Sequence, residues 1–226
     1  MKQRIYNLIV LDASGSMYSI RNEAVAGVVE TVQTIRTAQE EHADQEQLLS
    51  LVVFNGSRIA TVYDRMPITK VPDLSEKDYR PTDNTPLYDA MGNSITHLHQ
   101  CINEEDNVLV TIITDGYENS SVEWNHQRII RLVEDLKKKN WLFTYIGANQ
   151  DAIEVAKTMN IKNAMNFVQD EAGTREMFAK ERRSRDRFMG AVHCCSFKAP
   201  SSEASQEMRK KLADMDNYFA DDDDKA

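Results

Sequence analysis

The run of residues 107–114, NVLVTIIT, constrains the fold of this chain more than any other segment. Nearly every position is aliphatic or β-branched, so both faces of a strand formed there would be apolar. Such strands are typical of the centre of a parallel sheet that is covered by helices on both sides. Parallel strands also need long crossover connections, and these are usually helices. The run therefore predicts an α/β domain built around a buried central strand.

Strand and helix patterns alternate along the rest of the chain. Short β-rich runs occupy residues 4–11, 48–54, 141–146 and 163–168, and helical periodicity occurs at 20–43, 86–102, 122–139, 151–159 and 171–192. Asn55-Gly56 is a typical hairpin turn, so the strand that begins near Arg58 should run antiparallel to its predecessor. The expected fold is α/β: a doubly wound, mostly parallel six-stranded sheet with one antiparallel edge strand, flanked by helices in a Rossmann-like arrangement.

The charge and the cysteine content narrow the class of protein. The 226 residues carry a formal net charge of -9, which disfavours nucleic-acid binding because phosphate recognition needs a basic surface. No stretch reaches the length of a membrane span, and no secretory leader is visible. The three cysteines, Cys101, Cys194 and Cys195, are an odd number without zinc-like spacing. We therefore expect a cytoplasmic protein with free thiols and with neither a membrane nor a nucleic-acid partner.

Three polar clusters lie at the ends of predicted elements. Asp12, Ser14 and Ser16 form D-x-S-x-S directly after the first strand, Thr85 precedes the helix that Pro86 opens, and Asp115 ends the buried strand. Thr85 is also suited to be the N-cap of that helix. In an open parallel sheet, functional groups gather at the carboxyl ends of the strands. These five side chains should therefore converge, although they are far apart in the sequence.

The side chains in this set offer only oxygen as a metal ligand. Oxygen donors suit Mg²⁺, Ca²⁺ or Mn²⁺ and not zinc or copper. Hydroxyl ligands leave the ion with positive charge, so it would attract an anion from outside. Taken singly, each cluster is also compatible with an ordinary polar turn or helix start. Their order and their shared position at strand ends favour a divalent-cation site.

The three clusters together resemble the von Willebrand factor A family with its metal-ion-dependent adhesion site. The resemblance covers residues 4–192 and is carried by LDASGSM (11–17), TPLYDAM (85–91) and TIITDG (111–116). It is closest to the bacterial, stand-alone intracellular members. It implies that Ser14, Ser16 and Thr85 coordinate the metal directly, that Asp12 and Asp115 act largely through bound waters, and that a carboxylate of a partner fills the open position.

One departure from the family pattern lies beside Thr85. Many members have a pair of glycines before this threonine, whereas Asp83-Asn84 stands here. Asparagine tolerates left-handed backbone better than most residues do, so Asn84 could replace a glycine. Asp83 would add negative charge beside the ion.

A divalent-metal-dependent protein–protein binding module, and not an enzyme, is the expected function. The partner would offer a Glu or Asp carboxylate to the bound cation. One alternative is a Mg²⁺-dependent hydrolase, although Ser14 stands where a common phosphatase motif has an aspartate and no G-x-S-x-G or phosphate-binding loop is present. A scaffold protein with a purely structural metal is the other alternative.

The chain is expected to divide into a domain at residues 1–195 and a C-terminal extension at 196–226. Residues 203–219 have the spacing of an amphipathic helix, which could pack on its own domain or dock on a partner. Residues 221–225, DDDDK, fit either an enterokinase cleavage sequence or a native acidic tail. Upstream, residues 180–187, KERRSRDR, predict a solvated helix face with intrahelical ion pairs, and Glu181, Ser184 and Arg185 interrupt the apolar stripe there.

Overall fold

The computed structural model describes residues 2–75, 77–148, 151–196 and 218–219, which form one six-stranded sheet with helices on both faces. The strands are β1 (Gln3–Asp12), β2 (Gln45–Asn55), β3 (Arg58–Pro67), β4 (Asn107–Thr114), β5 (Trp141–Ala148) and β6 (Asn163–Phe167). The main helices are α1 (Arg21–Glu41), α2 (Leu87–Cys101), α3 (His126–Lys137), α4 (Ala152–Thr158) and α5 (Glu171–Ser196). The strand order is β3-β2-β1-β4-β5-β6, and every pairing is parallel except that of β2 with β3. The predicted fold class is confirmed.

The strand order places a crevice between β1 and β4. The chain leaves β1 toward β2 on one side, and it returns to place β4 on the other side of β1. Ligands of open α/β sheets bind where the strand order reverses in this way, outside the carboxyl ends of the strands. All eight residues of β4 are buried, as the apolar run predicts. The functional residues at the ends of β1 and β4 therefore lie beside the switch point.

The two faces of the sheet carry separate apolar cores. On one face, α1 and α5 cover residues such as Ile9 and Leu109, and on the other α2, α3 and α4 cover residues such as Val10 and Val110. The alternation follows from the two-residue period of the strands. Gly27 lets α1 and α5 approach closely, because a Cβ added there would lie 2.1 Å from the Phe178 ring.

The hairpin between β2 and β3 forms as predicted, with its turn one residue later. Gly56 and Ser57 are the turn residues, and Asn55 pairs with Arg58. The Asn55 side chain explains the shift, since its Oδ1 accepts hydrogen bonds from the Ser57 N–H at 3.0 Å and the Arg58 N–H at 3.1 Å. Asparagine side chains commonly stabilise turns through such bonds to the following backbone.

The middle of α5 differs from the prediction made for residues 180–187. Glu181, Ser184 and Arg185 are buried instead of solvated. Arg185 forms an ion pair with Glu181 at 2.6 Å, and it donates hydrogen bonds to Asn7 Oδ1 at 2.7 Å and to Thr111 Oγ1 at 2.8 Å. The predicted intrahelical ion pair forms between Glu181 and Arg185. The predicted solvation was wrong for the buried residues, because it considered the helix alone. The sheet face beneath α5 carries polar side chains that satisfy the buried guanidinium.

The C-terminal segment returns to the core at its described residues. Tyr218 and Phe219 are buried in the core on the α1 and α5 side, at 2% and 8% exposure. The Tyr218 N–H donates to Asn163 Oδ1 at 3.1 Å, and the Tyr218 carbonyl accepts from Arg187 at 3.2 Å. These two residues form a turn, while the rest of the amphipathic helix predicted at 203–219 and the DDDDK segment lie outside the described residues.

The predicted division at residue 195 stays a prediction. None of the helices in the described ranges is long and apolar enough to cross a membrane.

Candidate metal centre

The five predicted site residues lie together at the carboxyl ends of β1 and β4 and at the start of α2. Ser14 Oγ is 3.2 Å from Ser16 Oγ, and the Ser16 hydroxyl donates to Asp115 Oδ1 at 2.7 Å. Thr85 Oγ1 lies beside Gly116, which follows Asp115. A Cβ added at Gly116 would lie 3.1 Å from Thr85 Oγ1 and 3.9 Å from Ser16 Oγ. The fold therefore joins the three clusters that the sequence separates.

Asp12 is the most deeply buried carboxylate of this group, with no exposed surface. Its Oδ1 accepts a hydrogen bond from the Ser14 N–H at 2.6 Å, and its Oδ2 accepts from the Thr114 hydroxyl at 2.6 Å. The Asp12 carbonyl accepts from the buried Tyr79 hydroxyl at 2.8 Å. These bonds fix the turn that brings Ser14 and Ser16 to the crevice.

Both carboxylate oxygens of Asp115 accept hydrogen bonds. Ser16 donates to its Oδ1, and the Gln169 side-chain amide donates to its Oδ2. Gln169 also donates to the Ser16 carbonyl at 2.7 Å, so one side chain links both ligand loops to the segment that leads into α5. No sequence signal singled out Gln169, because it lies in a loop far from the motifs. Tyr79 and Asn119 were missed as well, since each lies in a loop without a recognisable pattern. Thr114 stands inside the TIITDG motif, but its position as the last residue of β4 did not indicate that its hydroxyl bonds to Asp12.

Thr85 is placed by the loop that follows β4. The Asn119 side chain accepts a hydrogen bond from the Thr85 N–H at 2.9 Å, and the Asn119 N–H donates to the Thr85 carbonyl at 3.2 Å. Two backbone bonds thus hold the residue while its side chain faces the Asp115-Gly116 turn.

The prediction that Thr85 is the N-cap of α2 is wrong. The residue before the helix is Pro86, which makes no side-chain cap. Instead, Glu118 Oε2 accepts from the Tyr88 N–H at 2.8 Å, and Ser121 Oγ accepts from the Asp89 N–H at 3.0 Å. The loop after β4 satisfies the donors at the start of the helix, so the Thr85 hydroxyl is not needed there.

The Asp83-Asn84 pair forms the exposed edge of the site. The left-handed residue is Asp83, with φ of 68°, and not Asn84 as the sequence suggested. The Asp83 carbonyl accepts from the Gly15 N–H at 3.0 Å, which ties this loop to the Ser14–Ser16 turn. The Asp83 carboxylate accepts from the Ser57 hydroxyl at 2.6 Å and from the Asn84 N–H at 2.9 Å. These bonds lower the pKa of Asp83.

Burial disfavours the ionised form of the two carboxylates at this site, Asp12 and Asp115. It raises the pKa of Asp12 to about 6, and the nearby charge of Asp115 acts in the same direction. Burial also raises the pKa of Asp115. Desolvation disfavours an ionised carboxylate unless an opposite charge lies close by. A cation at this position would supply that charge.

The donor set fits a small hard cation. In the described part of the chain no three His, Cys, Asp or Glu side chains cluster as metal ligands, so a site here depends on the hydroxyls as well as on the two carboxylates. Neighbouring ligands of an octahedral Mg²⁺ lie about 3 Å apart when each is about 2.1 Å from the ion. The 3.2 Å between Ser14 Oγ and Ser16 Oγ is close to that spacing.

A scan against models of protein families finds no match, and a search of curated protein sequences finds none either. Solved structures do match. A von Willebrand factor type A protein from Catenulispora acidiphila aligns with a TM-score of 0.53 and 14% identity over 81% of this chain and 42% of that chain. The PilB minor pilin from Streptococcus sanguinis aligns with a TM-score of 0.63 and 10% identity over 88% of this chain and 64% of that chain.

The SpRpn10 VWA domain is matched over nearly its whole length. It aligns with a TM-score of 0.55 and 12% identity over 80% of this chain and 95% of that chain. By contrast, this chain spans 42% of the Catenulispora protein and 64% of the pilin. At these identities the similarity concerns the fold, which by itself does not define a function. This chain has the fold of a von Willebrand factor A domain.

Proposed function

We propose that this protein is a divalent-cation-dependent protein-binding module. Mg²⁺, or Ca²⁺ or Mn²⁺ in its place, would be held by Asp12, Ser14, Ser16, Thr85 and Asp115, and a Glu or Asp of a partner would complete its coordination. The observation that carries the proposal is the cluster of hydroxyls around Asp115, with Ser16 Oγ 3.2 Å from Ser14 Oγ and 2.7 Å from Asp115 Oδ1. Hydroxyls and carboxylates are suitable ligands for these ions.

The five residues would have two different roles at this site, as direct ligands of the ion or as partners of its bound waters. Ser14, Ser16 and Thr85 would offer neutral oxygens directly, which leaves the bound cation with charge to attract an outside carboxylate. Asp12 would act through water, because Ser14 N–H and the Thr114 hydroxyl already hold one bond to each of its oxygens. Gln169 and Ser16 hold Asp115 in the same way.

The surface around the site suits a protein partner. Tyr18, in the turn that carries Ser16, is 70% exposed, and Tyr117, two residues after Asp115, is 59% exposed. Exposed tyrosines are enriched at protein interfaces, where they contribute much of the binding energy. They would contact the partner on either side of its acidic residue.

A hydrolytic function is not favoured by the position of Asp12. A nucleophilic aspartate needs an accessible oxygen, whereas Asp12 has no exposed surface and both oxygens accept hydrogen bonds. We therefore propose a binding function without catalysis. Metal-dependent turnover of a generic phosphoester by the purified protein would contradict this part of the proposal.

The proposal is tested by Thr85→Ala, with Thr82→Ala as the matched control in the same loop. Thr82 is exposed, and its backbone N–H donates to the Ala13 carbonyl in the site loop at 2.8 Å. Calorimetric titration with Mg²⁺ and Mn²⁺ should show binding by the wild type and by Thr82→Ala. Thr85→Ala should bind the ion more weakly, by about tenfold or more.

Partner binding should follow the same pattern, with a larger effect. Proteins captured from a lysate by the wild type and by Thr82→Ala in Mg²⁺ should be lost both in chelator and with Thr85→Ala. Capture that survives chelation unchanged would reduce the site to a structural metal site. An ion that binds the wild type and Thr85→Ala equally would remove the proposed ligand set.

A further inference from the structure

The Asp83 carboxylate carries a negative charge at the edge of the proposed metal site, where it would repel an acidic residue of a partner. Asp83 is exposed, and its carbonyl contacts the Gly15 N–H between the two ligand serines. Asp83 is also only two residues before Thr85, so an anionic partner residue that binds the ion would approach a loop that already carries a negative charge. The following inference rests on the proposed function, because this repulsion exists only if a carboxylate is the ligand.

The position of the Asp83 carboxylate is held by several independent contacts. Its Oδ2 accepts from the Ser57 hydroxyl at 2.6 Å, and its Oδ1 accepts from the Asn84 N–H at 2.9 Å. Ser57 belongs to the hairpin turn, so strands β2 and β3 fix its place. Gly56 makes room for the contact, since a Cβ there would lie 2.8 Å from Asp83 Oδ1. The carboxylate is therefore held at a defined place beside the hairpin turn.

No cation within the described ranges neutralises Asp83. None of the ion pairs formed by described residues includes it. With a divalent cation bound, the carboxylates of Asp12, Asp115 and Asp83 together exceed the ion's charge. An added partner carboxylate would increase that excess, and like charges brought together at an interface oppose binding.

We propose that Asp83 binds a Lys or Arg side chain that lies beside the acidic residue in the partner's recognition segment. The partner's acid would complete the cation's coordination, and its neighbouring base would pair with Asp83. The site would thus select an acidic residue next to a basic one and would reject segments whose neighbouring residues are also acidic. Such selection by attraction and repulsion together is a general source of specificity.

The test uses short capped peptides of glycine and serine that contain one glutamate. In three matched sets, the positions near the glutamate carry one lysine, one alanine or one further glutamate. Binding is measured by chemical-shift titration of ¹⁵N-labelled protein, in saturating Mg²⁺ and in chelator. The proteins are the wild type, Asp83→Asn, and Asp135→Asn as a control with the same loss of charge at an exposed position on α3.

The wild type and Asp135→Asn should bind the best lysine peptide about three- to fivefold more tightly than its alanine counterpart, and the second glutamate should weaken binding by a similar factor. In Asp83→Asn these preferences should disappear while Mg²⁺ affinity and Mg²⁺-dependent peptide binding persist. Asparagine tolerates the left-handed backbone at this position.

The outcomes separate the two proposals. Mg²⁺-dependent binding of all three peptide sets without a lysine preference, or a preference that Asp83→Asn retains, would overturn the role of Asp83 and leave the metal-binding proposal standing. Peptide binding that is absent, or that is the same in chelator, would overturn the proposed function and the role of Asp83 with it.

Discussion

Asp12 shows how one residue can be central to the site and costly to the fold. It is fully buried, and its two oxygens accept from the Ser14 N–H and from the Thr114 hydroxyl. Removing the whole side chain would take away the acceptor of the Ser14 N–H, and an unsatisfied buried donor costs about 1–3 kcal/mol. Asparagine preserves more of the arrangement, because the Thr114 hydroxyl also lies 3.2 Å from the Gly116 carbonyl and can donate there while accepting from the new amide.

We predict that Asp12→Asn folds like the wild type and loses stabilisation by Mg²⁺. A ligand that binds only the folded state adds about 2.7 kcal/mol to the free energy of unfolding at 100 times its Kd. The wild type should therefore show a rise in melting temperature as Mg²⁺ is added, and Asp12→Asn should show little or none. An equal rise in both proteins, measured by differential scanning calorimetry, would mean that the ion binds elsewhere.

In the absence of metal, Asp12→Asn should change how the free energy of unfolding depends on pH. The pKa of Asp12 is about 6 in the folded protein and 3.8 in its ordinary state, so between these values the folded state holds a proton that the unfolded chain has lost. The wild type's free energy of unfolding should fall across this window as the pH rises, whereas that of Asp12→Asn lacks this contribution.

Between about pH 4 and about pH 6, the free energy of unfolding of Asp12→Asn should therefore rise relative to that of the metal-free wild type, by at most about 3 kcal/mol. Urea denaturation of both proteins across this range measures the difference. A difference that stays constant with pH would contradict the raised pKa.

At the scale of elements, a buried polar network anchors α5 to the centre of the sheet. Arg185 joins Glu181 on its own helix to Asn7 on β1 and Thr111 on β4. Thr111 in turn accepts from the Thr144 hydroxyl of β5 at 3.1 Å. Such a network specifies one register of the helix on the sheet, because a shift along the helix axis would leave buried charges without partners.

We predict that Arg185→Met lowers the free energy of unfolding by about 3–5 kcal/mol, because it leaves the Glu181 carboxylate buried and unpaired. Replacing both residues, as Glu181→Leu with Arg185→Met, should cost less than Arg185→Met alone. Arg175→Met is the control on the same helix: this arginine is 70% exposed and pairs with exposed Glu171 at 3.3 Å and with Glu23 at 3.7 Å. Its loss should cost about 1 kcal/mol or less, because solvent screens the exposed guanidinium. Urea denaturation of the four proteins tests the coupling, and a double variant less stable than Arg185→Met would contradict it.

For the whole molecule, the core of the α1 and α5 face includes two residues near the C-terminal end. Tyr218 and Phe219 are almost fully buried there. Their nearest described residue earlier in the chain is Ser196, so this contact is long-range in sequence. The core of the domain is thus completed by residues that lie beyond the predicted domain boundary at 195.

We predict that Tyr218→Ala lowers the free energy of unfolding by about 3–5 kcal/mol, the usual cost of removing a buried aromatic ring. Tyr218→Phe is the matched control, because it keeps the ring and removes only the hydroxyl, and it should cost clearly less. Mg²⁺ affinity should stay the same in both, since Tyr218 contacts Asn163 at the amino end of β6, whereas the metal ligands lie at the carboxyl ends of β1 and β4. If both substitutions leave stability unchanged, the segment does not contribute to the core.

The order of strands and helices, the doubly wound sheet and the positions of the five oxygen-bearing residues at strand and helix ends could all be predicted from the sequence. These features follow from local periodicity and from the rule that parallel strands expose their carboxyl ends at one edge. Which residues support that site, and which charges are buried, depends on tertiary packing. Gln169 bonds to Asp115, which is 54 positions away in the sequence, and Arg185 bonds to Asn7, which is 178 positions away. No local pattern encodes such contacts, because each depends on a side chain that another element brings into reach.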